Sequence, residues 1–247
     1  MRQVQKIMGM DVLIEIVDAD VHPDVFDQVF DYLRFVDAKF STYKADSEIS
    51  KINRGEIPEE MWSGEMQEVF ALSAKTRIET NNFFNIKTPD GKYDPSGLVK
   101  GWAIHEAADM LRRRGVKNFM VDIGSDIEVS GRNNDGEPWS IGIRNPFQVD
   151  QVVKILKLSD VGIATSGKYA KGEHIYNPNN FIDGLTELAS VTVVAKDVYE
   201  ADRFATAVFA MGREGINFLE ARDGLEGYII DKDGVATMTS GFEQYIK

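Results

Sequence analysis

Four stretches of this sequence carry residue types whose spacing permits chemistry. The first is Glu200-Ala201-Asp202-Arg203-Phe204-Ala205-Thr206. At helical spacing, Val198, Ala201, Ala205, Val208 and Phe209 form one apolar arc. Asp202 lies at its edge, with Thr206 one turn further along the same side. A carboxylate beside a core face must be paired, hydrogen-bonded or metal-bound, because desolvating it alone is costly. Asp and Thr at i and i+4 offer a hard cation two oxygen ligands, and magnesium is held by few carboxylates, waters and substrate phosphates. An edge aspartate bonded to nearby backbone accounts for the same pattern.

The second stretch is Asp94-Pro95-Ser96-Gly97-Leu98-Val99-Lys100-Gly101. One reading is helix initiation, with Asp94 as N-cap, Pro95 at the first helical position and two glycines for close packing. The other is an anion site, built from free N–H groups at a helix start with Lys100 one turn in. Spacing alone does not choose between them. The third, Gly162 to Tyr169, nearly matches a P-loop but puts Tyr169 where a magnesium-binding Ser or Thr belongs, and no apolar-periodic helix follows. A P-loop is rejected. Thr165-Ser166-Gly167 is left as a turn whose N–H groups suit an oxyanion. The fourth is His174, in a turn between strands, where it serves as general base, as orienting donor or as a solvated loop residue. His22 and His105 read as solvated. No Cys/His cluster, GxSxG or GxGxxG is present.

The elements that must position these residues follow from periodicity. Gln3 to Asp18 reads as a strand or hairpin, with Val12, Ile14 and Ile16 on one side. Pro23 opens a helix burying Val25, Phe26, Val29, Phe30, Leu33 and Val36. Ser41 to Asn53 reads as a polar loop. Ser63 to Thr80 reads as a helix with Met66, Val69, Phe70 and Ile78 inward, stopped by Asn81-Asn82. A further helix runs to Arg114 and is closed by Gly115, and its basic end complements the helix dipole. Strands are expected at 119–123, 127–130, 139–143, 152–158, 162–165 and 191–195. Helices at 198–211 and 214–222 precede a hairpin at Asp231 to Gly234. The order reads as α+β, with mixed or antiparallel sheets and packed helices, rather than repeating βαβ.

The chain has 247 residues, enough for one domain over 1–247 or two intimately packed lobes. Lys and Arg number 28 and Asp and Glu 40, a net charge of −12 that opposes nucleic acid as a general partner. A small anionic ligand would need local cations or a metal ion. The sequence has no cysteine, which removes disulfides, thiolate nucleophiles, Cys-ligated metals and thioether or thioester lipid anchors. No segment has the length of a membrane span or the pattern of a signal peptide. The expectation is a cytoplasmic protein, with an exported form left open if an upstream segment has been removed.

Taken in order, the motifs resemble the FAD:protein FMN transferase family, the ApbE-like proteins. The resemblance is carried by Met8-Gly9-Met10, by Phe40-Ser41-Thr42-Tyr43 with Asp46-Ser47-Glu48-Ile49, and by Asp94 through Gly101. It continues through Val121-Asp122-Ile123-Gly124-Ser125-Asp126-Ile127, Ala164 through Gly167, His174 through Pro178, Val191-Thr192-Val193, Ala201-Asp202 and Thr206. It implies an ApbE-like, T-fold-related architecture. It also implies an enzyme that takes FAD with Mg²⁺ and transfers FMN to a Thr or Ser hydroxyl of an acceptor protein, releasing AMP.

On that resemblance Asp202, Thr206 and the Gly97 carbonyl are metal ligands, and Asp94 and Lys100 contact FAD. Met8, Tyr43, Phe83, Phe84, Asn85 and Ile175 line the flavin and adenine sites, with Thr165 and Ser166 beside the cofactor. His174 resembles the residue that takes the acceptor hydroxyl's proton, and with Asp202 it makes up the expected catalytic pair. Three departures stand out: Ser125 replaces a usual second glycine, Asn85 and Asn177 replace usual aspartates, and the stretch from Asn85 to Asp94 is short. Two alternatives stay open: an FAD pyrophosphatase giving free FMN and AMP, which would use the same metal site and differ in acceptor access, and a catalytically silent FAD-binding protein, for which Asn85 and Asn177 argue.

Overall fold

The computed structural model describes residues 1–19, 21–148, 150–167, 178–179 and 187–246. It opens with a hairpin of β1 (Arg2–Ile7) and β2 (Met10–Ile16). The two-residue turn has both φ angles positive, Met8 at 55° and Gly9 at 72°, as primed hairpin turns require. Val12, Ile14 and Ile16 are fully buried, as the alternation predicts. Helix α1 (Asp24–Phe40) buries the expected stripe of Val25, Phe26, Val29, Phe30, Leu33 and Val36.

Two expectations fail between residues 41 and 80. The polar loop contains a short helix, α2 (Glu48–Asn53), whose start is capped by Ser47 accepting the Ser50 N–H at 3.1 Å. Six residues are too few to display a period, so the cap was the only legible signal. On α3 (Gly64–Glu79) Met66 and Val69 are buried, but Phe70 is half-buried and Ile78 is 76% exposed. The inward face carries Ser73 and Thr76 instead. Each satisfies its hydroxyl on the carbonyl four residues back, Val69 and Leu72, which lets polar side chains enter a core.

After α4 (Ser96–Arg113) come β3 (Phe119–Ile123), β4 (Asp126–Ser130), β5 (Trp139–Arg144), β6 (Val152–Leu158), β7 (Val161–Gly167) and β8 (Leu188–Ala195). Helices α5 (Val198–Met211) and α6 (Gly215–Glu220) precede the expected closing hairpin of β9 (Glu226–Asp231) and β10 (Ala236–Met238). Eight strands form one sheet in the order β1-β2-β3-β4-β7-β8-β9-β10, and β5 and β6 form a separate pair. Every one of these pairings is antiparallel.

Strand parity separates two faces of the large sheet. Ala164, Val191, Val193 and Ile229 pack on α5 and α6, while Ile163, Val194 and Ile230 pack on the β5–β6 pair. A third cluster joins β2 and β3 to α1 and α4. Among the described residues no helix is long and apolar enough to cross a membrane.

His105, read above as solvated, is held between elements. Its Nδ1 lies 3.1 Å from Glu128 Oε2, and the buried Glu128 also accepts the Val198 N–H at 3.1 Å and pairs with Arg112 at 2.6 Å. The start of α5 is therefore tied through β4 to α4. The Glu128 hydrogen bond raises His105 above its ordinary 6.5 despite burial, and the charges of Glu128, Asp197 and Asp109 add to it. A raised imidazole contributes stability that is complete below 6.5 and lost as pH rises through the folded-state value. Urea midpoints measured on either side of that window should decline with pH in the parent protein. His105→Gln should flatten the decline, and an unchanged slope would place the titration elsewhere.

Candidate active site

Helices α4 and α5 touch at Gly101, where an added Cβ would lie 2.6 Å from Asp202 Cβ and 2.8 Å from the Val198 carbonyl. This close approach lets the Gly101 N–H donate to Asp202 Oδ2 at 2.8 Å. One turn along, the Thr206 hydroxyl donates to the Gly97 carbonyl at 3.3 Å and lies 3.5 Å from Ser166 Oγ on β7. Gly97, far from Asp202 and Thr206 in sequence, thus joins them in one oxygen-rich cradle.

Asp202, beside the apolar arc as expected, is buried, and burial is the main cause that pushes its carboxyl up to about 8. The Asp126 carboxylate adds to the rise, against the pull of Lys100 and the Gly101 N–H. Asp126 is itself fully buried, and Lys100 Nζ lies 2.6 Å from its Oδ2. Two carboxylates and one ammonium therefore share this water-poor space.

The cradle opens into a cavity of about 340 Å³. Met8, Phe83, Phe84, Asn85, Asp94, Lys100, Thr165 and Ser166 all line it. A second cavity of about 370 Å³ holds Tyr43, Val36, Phe40 and Val99. The two share Met8, Gly9, Met10, Asp94, Ser96 and Lys100 as a common wall. Tyr43 is 95% exposed at the rim of the second. His174, Ile175 and Asn177 lie outside the described residues; Pro178, next in the chain, lines the first cavity.

Two local expectations are corrected. Pro95, not Asp94, occupies the N-cap position of α4, and Asp94 Oδ1 reaches past it to accept the Ser96 N–H at 3.0 Å. Thr165-Ser166-Gly167 is the end of β7, not a turn. Its Thr165 N–H is already donated to Asp126 Oδ1 at 3.1 Å, so the oxyanion reading does not hold for that group. Ladder pairing with β8 fixes the strand, and Thr165 and Thr192 hydroxyls meet across it at 2.9 Å.

The wall formed by Phe83 to Asn85 is held from beneath. Thr80 Oγ1 accepts the Phe84 N–H at 3.1 Å, after the left-handed pair Asn81 and Asn82 ends α3. Next to Asp202 on α5, Arg203 is buried, ion-paired to Glu79 and Glu200 and donating to Thr76 at 3.2 Å. Arg203 therefore ties the end of α3 to the helix that carries Asp202.

Sequence reading passed over Asp126. An aspartate at the head of the expected strand at 127–130 was the available signal, but its partners Lys100, Thr165 and Asp202 come from three other elements. Ser125, singled out as a departure, lines the first cavity with φ at 102°, a conformation that favours glycine. Ser125→Gly should relieve this strain and raise the unfolding free energy by roughly 1 kcal/mol. A loss of stability in chemical denaturation would show that Ser125 is not strained.

A model of the ApbE family matches residues 8–90 and 87–229. The chain belongs to the ApbE family. It is 34% identical over 194 residues to the FAD:protein FMN transferase of Vibrio cholerae serotype O1, covering 72% of this chain and 56% of that one. To the FAD:protein FMN transferase of Escherichia coli K12 it is 27% identical over 185 residues, covering 68% and 53%. This family member thus spans about half the length of the curated relatives it matches. Its fold superposes on the flavin transferase ApbE from Vibrio cholerae with a TM-score of 0.86 at 24% identity, covering 99% and 98%. The ApbE protein from Thermotoga maritima gives 0.88 at 19%, covering 100% and 99%. Both likenesses establish the α+β, ApbE-like architecture.

The cradle suits a hard cation. Its donors are all oxygens, it combines a buried carboxylate with a hydroxyl and a carbonyl, and the nearby Asp126 Oδ2 receives no hydrogen bond among the described residues. Among those residues no three His, Asp or Glu side chains gather in one place, so a cation here would rely on a single carboxylate with neutral oxygens, waters and substrate phosphates.

Proposed function

We propose that this chain transfers FMN from FAD to a Thr or Ser hydroxyl of an acceptor protein in a magnesium-dependent reaction that releases AMP. One observation carries the reading: two neighbouring cavities of about 340 and 370 Å³ share a wall that includes Lys100, beside an oxygen cradle. A dinucleotide has that shape, with two ring systems and a dianionic bridge between them. The first cavity supplies Phe83 and Phe84 as aromatic walls, and the second supplies Val36, Phe40 and Tyr43.

In this reaction the acceptor oxygen bonds to the FMN-side phosphorus and the bond to adenylate breaks. The acceptor's proton passes to a base, the role proposed for His174. Lys100 faces the bridging phosphates and offsets their charge, which matters in a protein of net charge −12. Gly97, Asp202 and Thr206 would hold Mg²⁺, and the bound ion supplies Lewis-acid neutralisation of the phosphate oxygens. Gly101 orients Asp202 for that task through its N–H.

The deciding experiment incubates protein, FAD and Mg²⁺ with and without a threonine-bearing acceptor, following AMP by chromatography and the acceptor by mass. AMP released in step with acceptor mass gain is expected. AMP at the same rate without acceptor would make the chain a pyrophosphatase. FAD binding with no AMP under any divalent metal would make it a silent binder.

A further inference from the structure

Asp126 lies beneath the cradle rather than in the cavity wall. Its side chain is fully buried at the start of β4. Oδ1 accepts the Thr165 N–H at 3.1 Å and so joins β4 to β7 under the first cavity. Oδ2 stands 2.6 Å from Lys100 Nζ, an ion-pair distance, and receives no hydrogen bond from the described residues. Asp202 shares the same buried volume, 4% exposed, held by the Gly101 N–H. With Asp202 ionised, as a cation ligand must be, two carboxylates against one ammonium leave an excess negative charge among the described residues where water is excluded. An asparagine oxygen also accepts an N–H, so that bond does not by itself require a buried charge here.

We propose that Asp126 is a positioning residue that holds Lys100 at the junction of the two cavities and supplies the excess negative charge that draws a divalent cation onto Gly97, Asp202 and Thr206 before the dinucleotide arrives. The inference rests on the cation site proposed above. Attraction between a divalent ion and a nearby buried charge is far stronger in this setting than in water. Without the Asp126 charge, the attraction of Lys100 for Asp202 is no longer shared with Asp126, and the lysine then neutralises the ligand the cation needs.

The test uses Mn²⁺ alone as probe on the FAD-free protein, with free Mn²⁺ counted by electron paramagnetic resonance and thermal midpoints taken in EDTA. Asp126→Asn should weaken Mn²⁺ binding by about tenfold or more while leaving the EDTA midpoint no lower than the parent's, because the crowding of two carboxylates is relieved. Lys100→Met should act in the opposite direction and tighten Mn²⁺ binding. Asp202→Asn should abolish it.

If Asp202→Asn loses Mn²⁺ but Asp126→Asn binds within about twofold of the parent, the role of Asp126 is overturned and the cation site stands. If Asp202→Asn still binds as tightly as the parent, the cation site itself is wrong and this inference goes with it. Should Asp126→Asn lose its fold, Lys100→Met decides alone: tighter binding upholds the charge argument, and equal or weaker binding refutes it.

Discussion

Asp202→Asn is expected to lower FMN transfer by about a thousandfold or more while leaving the protein folded. The substitution keeps the shape of the side chain and an oxygen to accept the Gly101 N–H at the α4–α5 contact. What it removes is the one carboxylate that the cradle itself contains. Stability should not fall in EDTA, because burial and the Asp126 carboxylate both penalise the ionised form in the parent. The combination separates a functional charge from a structural one. Steady-state AMP release and a thermal melt of the same sample suffice. A rate within tenfold of the parent would remove Asp202 from the proposed chemistry, whatever the melt shows.

The second large effect is on folding and arises away from the cavity. Gly162, on β7, sits where the chain turns into α5: an added Cβ would fall 1.9 Å from the Val198 nitrogen and 2.1 Å from the Asp197 carbonyl carbon. Both are backbone atoms, so no side chain can swing aside. Moving α5 away would also break the Val198 N–H bond to Glu128 and lift Asp202 and Thr206 out of register with Gly97. Gly162→Ala should therefore cost about 4 kcal/mol or more and yield little folded protein. Gly136→Ala is the matched control, since nothing lies within 4 Å of its added Cβ, although its positive φ carries a modest cost. Soluble yield and far-ultraviolet circular dichroism of the pair would check this. A Gly162→Ala protein that melts within a few degrees of the parent would contradict the contact.

The legible part of the fold was what repeats over a long window. The stripe of α1, the alternation of β2, the Asn81-Asn82 stop and the arc of α5 all write burial directly into residue spacing, and each is found where expected. Short or polar elements were not legible in the same way. In α2 the period has no room to show, and in α3 the buried positions are hydroxyls that satisfy themselves on their own helix. His105 was misread because its partner Glu128 lies on β4, and a lone polar residue on a helix carries no mark of a distant carboxylate.

At the candidate site the sequence by itself determined the ingredients: a carboxylate and a hydroxyl one helical turn apart on an apolar arc, glycines and a lysine at a helix start, and a chain too acidic to hold a dianion without cations. The ordered motifs also determined the family to which the chain belongs. Only the tertiary structure decided that Gly97 and Thr206 touch, that Gly101 lets two helices meet, and that Asp126 shares its burial with Asp202 and Lys100. Periodicity reports which side of an element faces inward. Which elements face each other, and so which charges must share a buried volume, is settled when the sheet and helices pack.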